Sequence, residues 1–110
     1  GSWCPPCRSE APEMQAAYEE LAPRGLVMLA VALDEPLSAA AAYAELNGLT
    51  YPIAGDPDRK LTGEAYPIAN FPTHILIDRD GIVRDVILAE LNQQQFIERA
   101  ESLLVPGEGP

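Results

Sequence analysis

Leu26-Val27-Met28-Leu29-Ala30-Val31-Ala32-Leu33 is an eight-residue apolar run with no polar break. It does not alternate, so it is not a strand with one wet face. It is far shorter than the ~20 residues needed to cross a bilayer. A run of this kind predicts a strand buried on both faces, of the sort found in parallel sheets covered by helices. With 110 residues in all, the chain is expected to form one domain, large enough for a real core and too small for two. Its apolar residues make up 47% and are patterned, which excludes a disordered chain.

The rest of the pattern places helices around that strand. From Cys7 to Ala22, Ala11, Met14, Tyr18 and Leu21 recur at helical spacing, leaving Glu10, Glu13, Glu19 and Glu20 free to face water. Pro5 and Pro6 suit the first turn, Pro12 should kink the helix, and Pro23-Arg24-Gly25 should end it. Ser38 reads as the N-cap of a helix from Ala39 to about Asn47, stopped by Gly48. Tyr51-Pro52-Ile53 reads as an edge strand, and Asp56-Pro57-Asp58 as a turn into a short helix from Arg59 to Ala65. A loop, Ile68 to Thr73, leads to a strand His74–Ile77. Asp78-Arg79-Asp80-Gly81 is a hairpin turn, and Ile82–Leu88 returns beside the first arm. Asn92 caps a final helix, Gln93 to Leu104, whose inner face carries Phe96, Ile97, Ala100, Leu103 and Leu104; Val105 to Pro110 is a loose tail. The order predicts an α/β domain with a mixed sheet flanked by helices.

Seven basic residues stand against seventeen acidic ones, a net charge of −10. Such a surface repels phosphate backbones and anionic headgroups, so nucleic-acid and membrane-surface binding are disfavoured. Two cysteines, Cys4 and Cys7, are too few for a disulfide scaffold. With His74 they offer three ligands at most, short of a structural zinc site. No metal or organic cofactor is implied.

A Cys-x-x-Cys pair at a helix start can close a small disulfide. Free amides and the helix dipole there favour an anion, which lowers a thiol pKa from about 8.5 toward ~3.5–7.5. Cys4 is therefore expected as the nucleophile and Cys7, one turn inside, as the resolving thiol. Two alternatives stand beside this reading: a Cu(I) or Zn(II) carrier using Cys4, Cys7 and His74, and a non-catalytic module.

At these residues the chain resembles the thioredoxin superfamily. Ser2-Trp3-Cys4-Pro5-Pro6-Cys7-Arg8 is similar to its active-site motif, Pro12 to its helix-kinking proline, and Phe71-Pro72-Thr73 to its cis-proline loop. The Ile75–Gly81 hairpin matches as well. The insertion Glu35–Pro57 resembles the TlpA/ResA-type branch of extracytoplasmic, often membrane-tethered reductases that keep apocytochrome or copper-site cysteines reduced. The resemblance implies protein-disulfide reduction, with apocytochrome c among the candidate substrates and an upstream electron donor. It implies that Trp3, Phe71, Pro72 and Thr73 contact the substrate and that Glu35 tunes the thiols. It argues against the copper carrier, because copper chaperones of this fold space their cysteines by three residues.

One departure carries a structural expectation. In the family a middle strand lies immediately before the Trp-Cys motif, with the counterpart of Leu26–Leu33 on one side and that of the His74 hairpin on the other. This sequence begins after that strand. The expectation is a thioredoxin-like domain truncated at its N-terminus, with any signal or membrane anchor upstream.

Overall fold

The computed structural model describes residues 1–56, 58–66 and 68–104. The predicted tail, Val105 to Pro110, lies outside them. Helix α1 runs Pro5–Leu21, with Pro5 and Pro6 in the first turn, where their missing N–H groups leave no gap in the ladder. It continues through Pro12, and a short 3₁₀ turn, Ala22–Arg24, closes on Gly25 in the left-handed region at φ 107°. Strand β1 is Ala30–Leu33, α2 is Leu37–Leu46 and β2 is Ile53–Asp56. A wide helical turn, Leu61–Ala65, precedes β3 (His74–Ile77), β4 (Val83–Ile87) and α3 (Gln93–Leu104).

The core joins α1, α3 and the hairpin. Met14, Ala17 and Leu21 meet Leu76 and Ile87, and Phe96, Ile97, Ala100 and Leu104 close the other side. Ala11, Met14 and Leu21 of α1 and Phe96, Ile97, Ala100 and Leu104 of α3 are buried as their spacing predicts. Asn92 caps α3 as expected: its Oδ1 accepts from the Gln95 amide at 2.8 Å, while the Gln95 side chain accepts from the Asn92 amide at 2.9 Å.

Several boundaries differ from expectation, each for a local reason. Only the last four residues of the apolar run pair. Thr50, which would have to extend the partner strand, instead gives its amide to the Gln15 side chain, and Pro52 has no N–H to donate. Val27 and Leu29, expected in a strand buried on both faces, are 88% and 60% exposed. Helix α2 starts at Leu37 rather than Ala39. Pro36 holds an extended backbone at the N-cap and its carbonyl accepts from Ala39, which leaves Ser38 inside the first turn with no capping bond. The helical turn begins at Leu61, because Arg59 sits in the left-handed region at φ 56°. Asp56 caps that turn from a buried position, accepting from the Leu61 and Thr62 amides and the Thr62 hydroxyl.

The strands form two pairs rather than one continuous sheet. β1 runs parallel to β2, with Ala30 opposite Ile53, and β3 runs antiparallel to β4, with His74 opposite Ile87. Between the pairs lies an apolar slot of about 550 Å³, walled by β1 on one side and β3 on the other and floored by Met14. The slot reaches Cys7, Glu10 and the Phe71–Thr73 loop.

Candidate active site

Cys4 and Cys7 are joined as a disulfide with their Cα atoms 5.2 Å apart. Cys4 is the N-cap of α1, and its Sγ accepts from the Cys7 amide at 3.4 Å. The thiol predicted to be the nucleophile therefore occupies the helix position where an anion is most favoured. Its residue is only 4% exposed, the more enclosed of the two.

The motif is tied to three separated segments. Trp3 donates its indole N–H to the Leu33 carbonyl at 2.9 Å, tying the motif to the end of β1. Its ring stands edge-on to Phe71 with centroids 5.3 Å apart. The Arg59 guanidinium lies 5.6 Å from the centre of the Phe71 ring and is paired bidentately with Asp34. That pairing holds the Asp34 carboxyl below its ordinary value and raises Arg59. Asp34 and Arg59 both adopt left-handed backbone, an uncommon state for non-glycine residues, so this corner of the rim is set by its context.

The Phe71–Pro72 peptide is cis. Thr73 turns its hydroxyl back onto the Asn70 carbonyl at 2.6 Å, so that hydroxyl is engaged within the loop. Trp3, Phe71, Pro72 and Thr73 are thus gathered at one place. Glu35 accepts from the Ser2 amide at 2.9 Å and also from the Ser2 hydroxyl, so its carboxylate engages the motif two residues before Cys4.

Glu10 corrects the water-facing expectation. It is 5% exposed, and its Oε2 accepts from the Leu91 amide at 2.7 Å and meets His74 Nε2 at 2.7 Å. Glu13 is half-buried and accepts from the Gln93 amide at 2.8 Å. Helical phase is the sequence sign that could have shown this, since Glu10 falls between Cys7 and Met14 on the buried stripe. Nearby, burial pushes the Tyr51 hydroxyl up to about 12, with the Glu10 and Tyr43 charges adding to the effect. Arg59 and Asp34 also escaped sequence reading, because nothing local marks residues 25 apart as partners. The carrier alternative needs Cys4, Cys7 and His74 around one point. Among the described residues no group of three or more His, Cys, Asp or Glu side chains is arranged to hold a metal, and His74 is turned onto Glu10.

The sequence profile of the AhpC/TSA family matches residues 1–86. The chain belongs to the AhpC/TSA family. Among relatives of this AhpC/TSA chain, the thiol-disulfide oxidoreductase ResA of Geobacillus kaustophilus is 34% identical over 103 residues, covering 94% of this chain and 59% of the relative. The chain thus spans about three-fifths of the length of the curated relatives it matches. A thiol:disulfide interchange protein of the thioredoxin family from Chlorobium tepidum superposes with a TM-score of 0.85 at 29% identity, over 96% of this chain and 75% of that one. A secreted thiol-disulfide isomerase from Corynebacterium glutamicum does so with a TM-score of 0.83 at 29% identity, over 93% and 65%. The fold is thioredoxin-like.

Proposed function

We propose that this chain carries the exchange site of a protein-disulfide reductase, with Cys4 as nucleophile and Cys7 as resolving thiol. The observation that carries the reading is Cys4 at the α1 N-cap, bonded to Cys7, which lines one slot together with the Phe71–Pro72–Thr73 loop. In the forward reaction the Cys4 thiolate attacks one sulfur of a substrate disulfide. The substrate S–S bond breaks, a Cys4–substrate bond forms, and the released substrate thiolate takes up a proton. Cys7, deprotonated, then attacks Cys4 Sγ; the mixed disulfide breaks and the second substrate thiol leaves. The Cys4–Cys7 disulfide that results is reduced again by an upstream dithiol donor.

The substrate lies as an extended segment along the backbone of residues 71–73, in the manner of an added strand, with Trp3 and Phe71 giving apolar contact. Glu35 acts on the thiols through Ser2, by fixing the turn from which Cys4 is presented. We assign the protein to the extracytoplasmic space and to the reductant side of cytochrome c maturation. The supports are the similarity to ResA, a secreted neighbour and the TlpA/ResA-type insertion. Among the described residues no helix is long and apolar enough to cross a membrane.

The deciding measurement is the reduction potential of the Cys4–Cys7 couple in a dithiothreitol or glutathione series, alongside turnover of a protein disulfide such as insulin. A potential near or below ~−270 mV supports a reductant, whereas one near ~−120 mV makes the protein a disulfide donor. Cys7→Ser should stop turnover and accumulate a mixed disulfide on Cys4; a variant that turns over normally removes the assignment.

A further inference from the structure

The exchange chemistry leaves the Asp34–Arg59 pair at the rim unused. The two residues are 25 positions apart but follow strands that end side by side. β1 runs parallel to β2 with Leu33 opposite Asp56, so the residues just beyond each strand meet. Arg59 Nε donates to Asp34 Oδ1 at 3.0 Å and Nη2 donates to Oδ2, a bidentate pair that fixes the plane of the guanidinium. The Arg59 backbone is held as well. Its amide donates to the Asp56 carbonyl at 3.2 Å, and its carbonyl accepts from the Gly63 amide at 2.7 Å.

Fold stability does not account for this arrangement. The Arg59 and Asp34 side chains are 36% and 46% exposed, and ion pairs open to water contribute little to folding. Both residues hold left-handed backbone, at φ 56° and 57°, and Arg59 lacks the short polar side chain that eases this conformation at Asp34. Strain of this kind gathers at functional sites. Charge attraction does not account for the pair either, because Asp34 neutralises the guanidinium. What remains is the ring beneath it. The guanidinium lies 5.6 Å from the centre of Phe71, and Phe71 stands edge-on to Trp3 at 5.3 Å.

Building on the proposed reductase function, we propose that Arg59 is a positioning residue for protein substrates. Anchored by Asp34, it holds Phe71 against Trp3 and so sets the 71–73 loop relative to the residue that precedes Cys4. A small disulfide needs only the thiol, whereas a protein disulfide needs thiol and loop in register. A misplacement near 1 Å can cost up to ~10²-fold in such a geometry.

The test uses the full-length protein with insulin as the protein disulfide and oxidised glutathione as the small one. Arg59→Gly suits the left-handed backbone and removes the guanidinium. It should raise KM for insulin about tenfold, while kcat and the glutathione rate stay within about twofold. Arg59→Lys keeps the charge without the planar fork and should also raise KM. Asp34→Asn keeps the backbone conformation and gives up the carboxylate. It should raise KM too, and the double variant Asp34→Asn/Arg59→Gly should match Arg59→Gly within about twofold, because both changes release one contact. A folded Arg59→Gly with unchanged insulin KM, or one that loses both substrates equally, overturns the proposal. So does an Arg59→Lys variant with the wild-type KM, or a double variant whose KM is the product of the two single effects. If Arg59→Gly does not fold, Asp34→Asn decides: an unchanged insulin KM overturns the proposal, and a raised KM at an unchanged glutathione rate supports it. A wild-type protein that reacts with glutathione but never reduces insulin instead removes the reductase reading on which this one rests.

Discussion

Two of the seventeen acidic side chains, Glu10 and Glu35, have left the solvated surface for contacts around the redox pair. Glu35 reaches Ser2 across 33 positions, and Glu10 reaches Leu91 across 81. Removing Glu10 strands a buried amide on one side and an imidazole on the other. Glu10→Ala is therefore expected to destabilise the protein by about 1–3 kcal/mol for each group left without a partner. Glu10→Gln should lose less, since its carbonyl still accepts from Leu91. Urea melts of the two variants against wild type provide the check, and equal midpoints would show that Glu10 is held only by packing.

At the scale of elements, short polar caps decide where the chain turns. The Thr62 hydroxyl, followed by the Thr62, Leu61 and Lys60 amides, holds the Asp56 carboxyl below its ordinary value. A carboxyl with a depressed folded pKa stabilises the fold above its unfolded value of about 3.9, and that contribution disappears as pH falls through the folded pKa. The gap in thermal midpoint between wild type and Asp56→Ala should thus be widest near neutral pH and close below about pH 4. A gap that does not change with pH would assign the effect to shape rather than charge. Asn92 makes a reciprocal cap with Gln95 at the start of α3, the helix that closes the core. Asn92→Ala should cost about 1 kcal/mol, read as a shift in urea midpoint at constant m.

At the scale of the assembled elements, the described residues leave a slot between β1 and β3. It leaves Val27 and Leu29 open to solvent and interrupts the sheet between its parallel and antiparallel pairs. The described chain taken alone is expected to bind an apolar fluorescent dye and to unfold in urea with an m-value at or below the low end of the ~1–3 kcal/mol/M range of small domains. An extended apolar peptide that fills the slot should displace the dye. A sharp transition with a high m-value and no dye binding would mean that the two strand pairs close on each other in solution.

Patterns confined to one element are legible in the order of residues. Helical spacing at Met14 and Leu21, the Asn92 cap, the Asp78–Gly81 turn and the Cys4–Cys7 pair at a helix start depend on neighbours within a few residues, so sequence alone determined them. The aromatic and thiol members of the candidate site stand out in the sequence because they sit in contiguous motifs, Trp3 to Cys7 and Phe71 to Thr73. Tertiary structure decided the rest. Thr50 was diverted to Gln15 and so shortened β1, Arg59 was drawn to Asp34 and out of its helix, and His74 found the buried carboxylate of Glu10. In each case a side chain chose between water or a local partner and one far along the chain. The energy difference between those choices is set by burial, which no local pattern records.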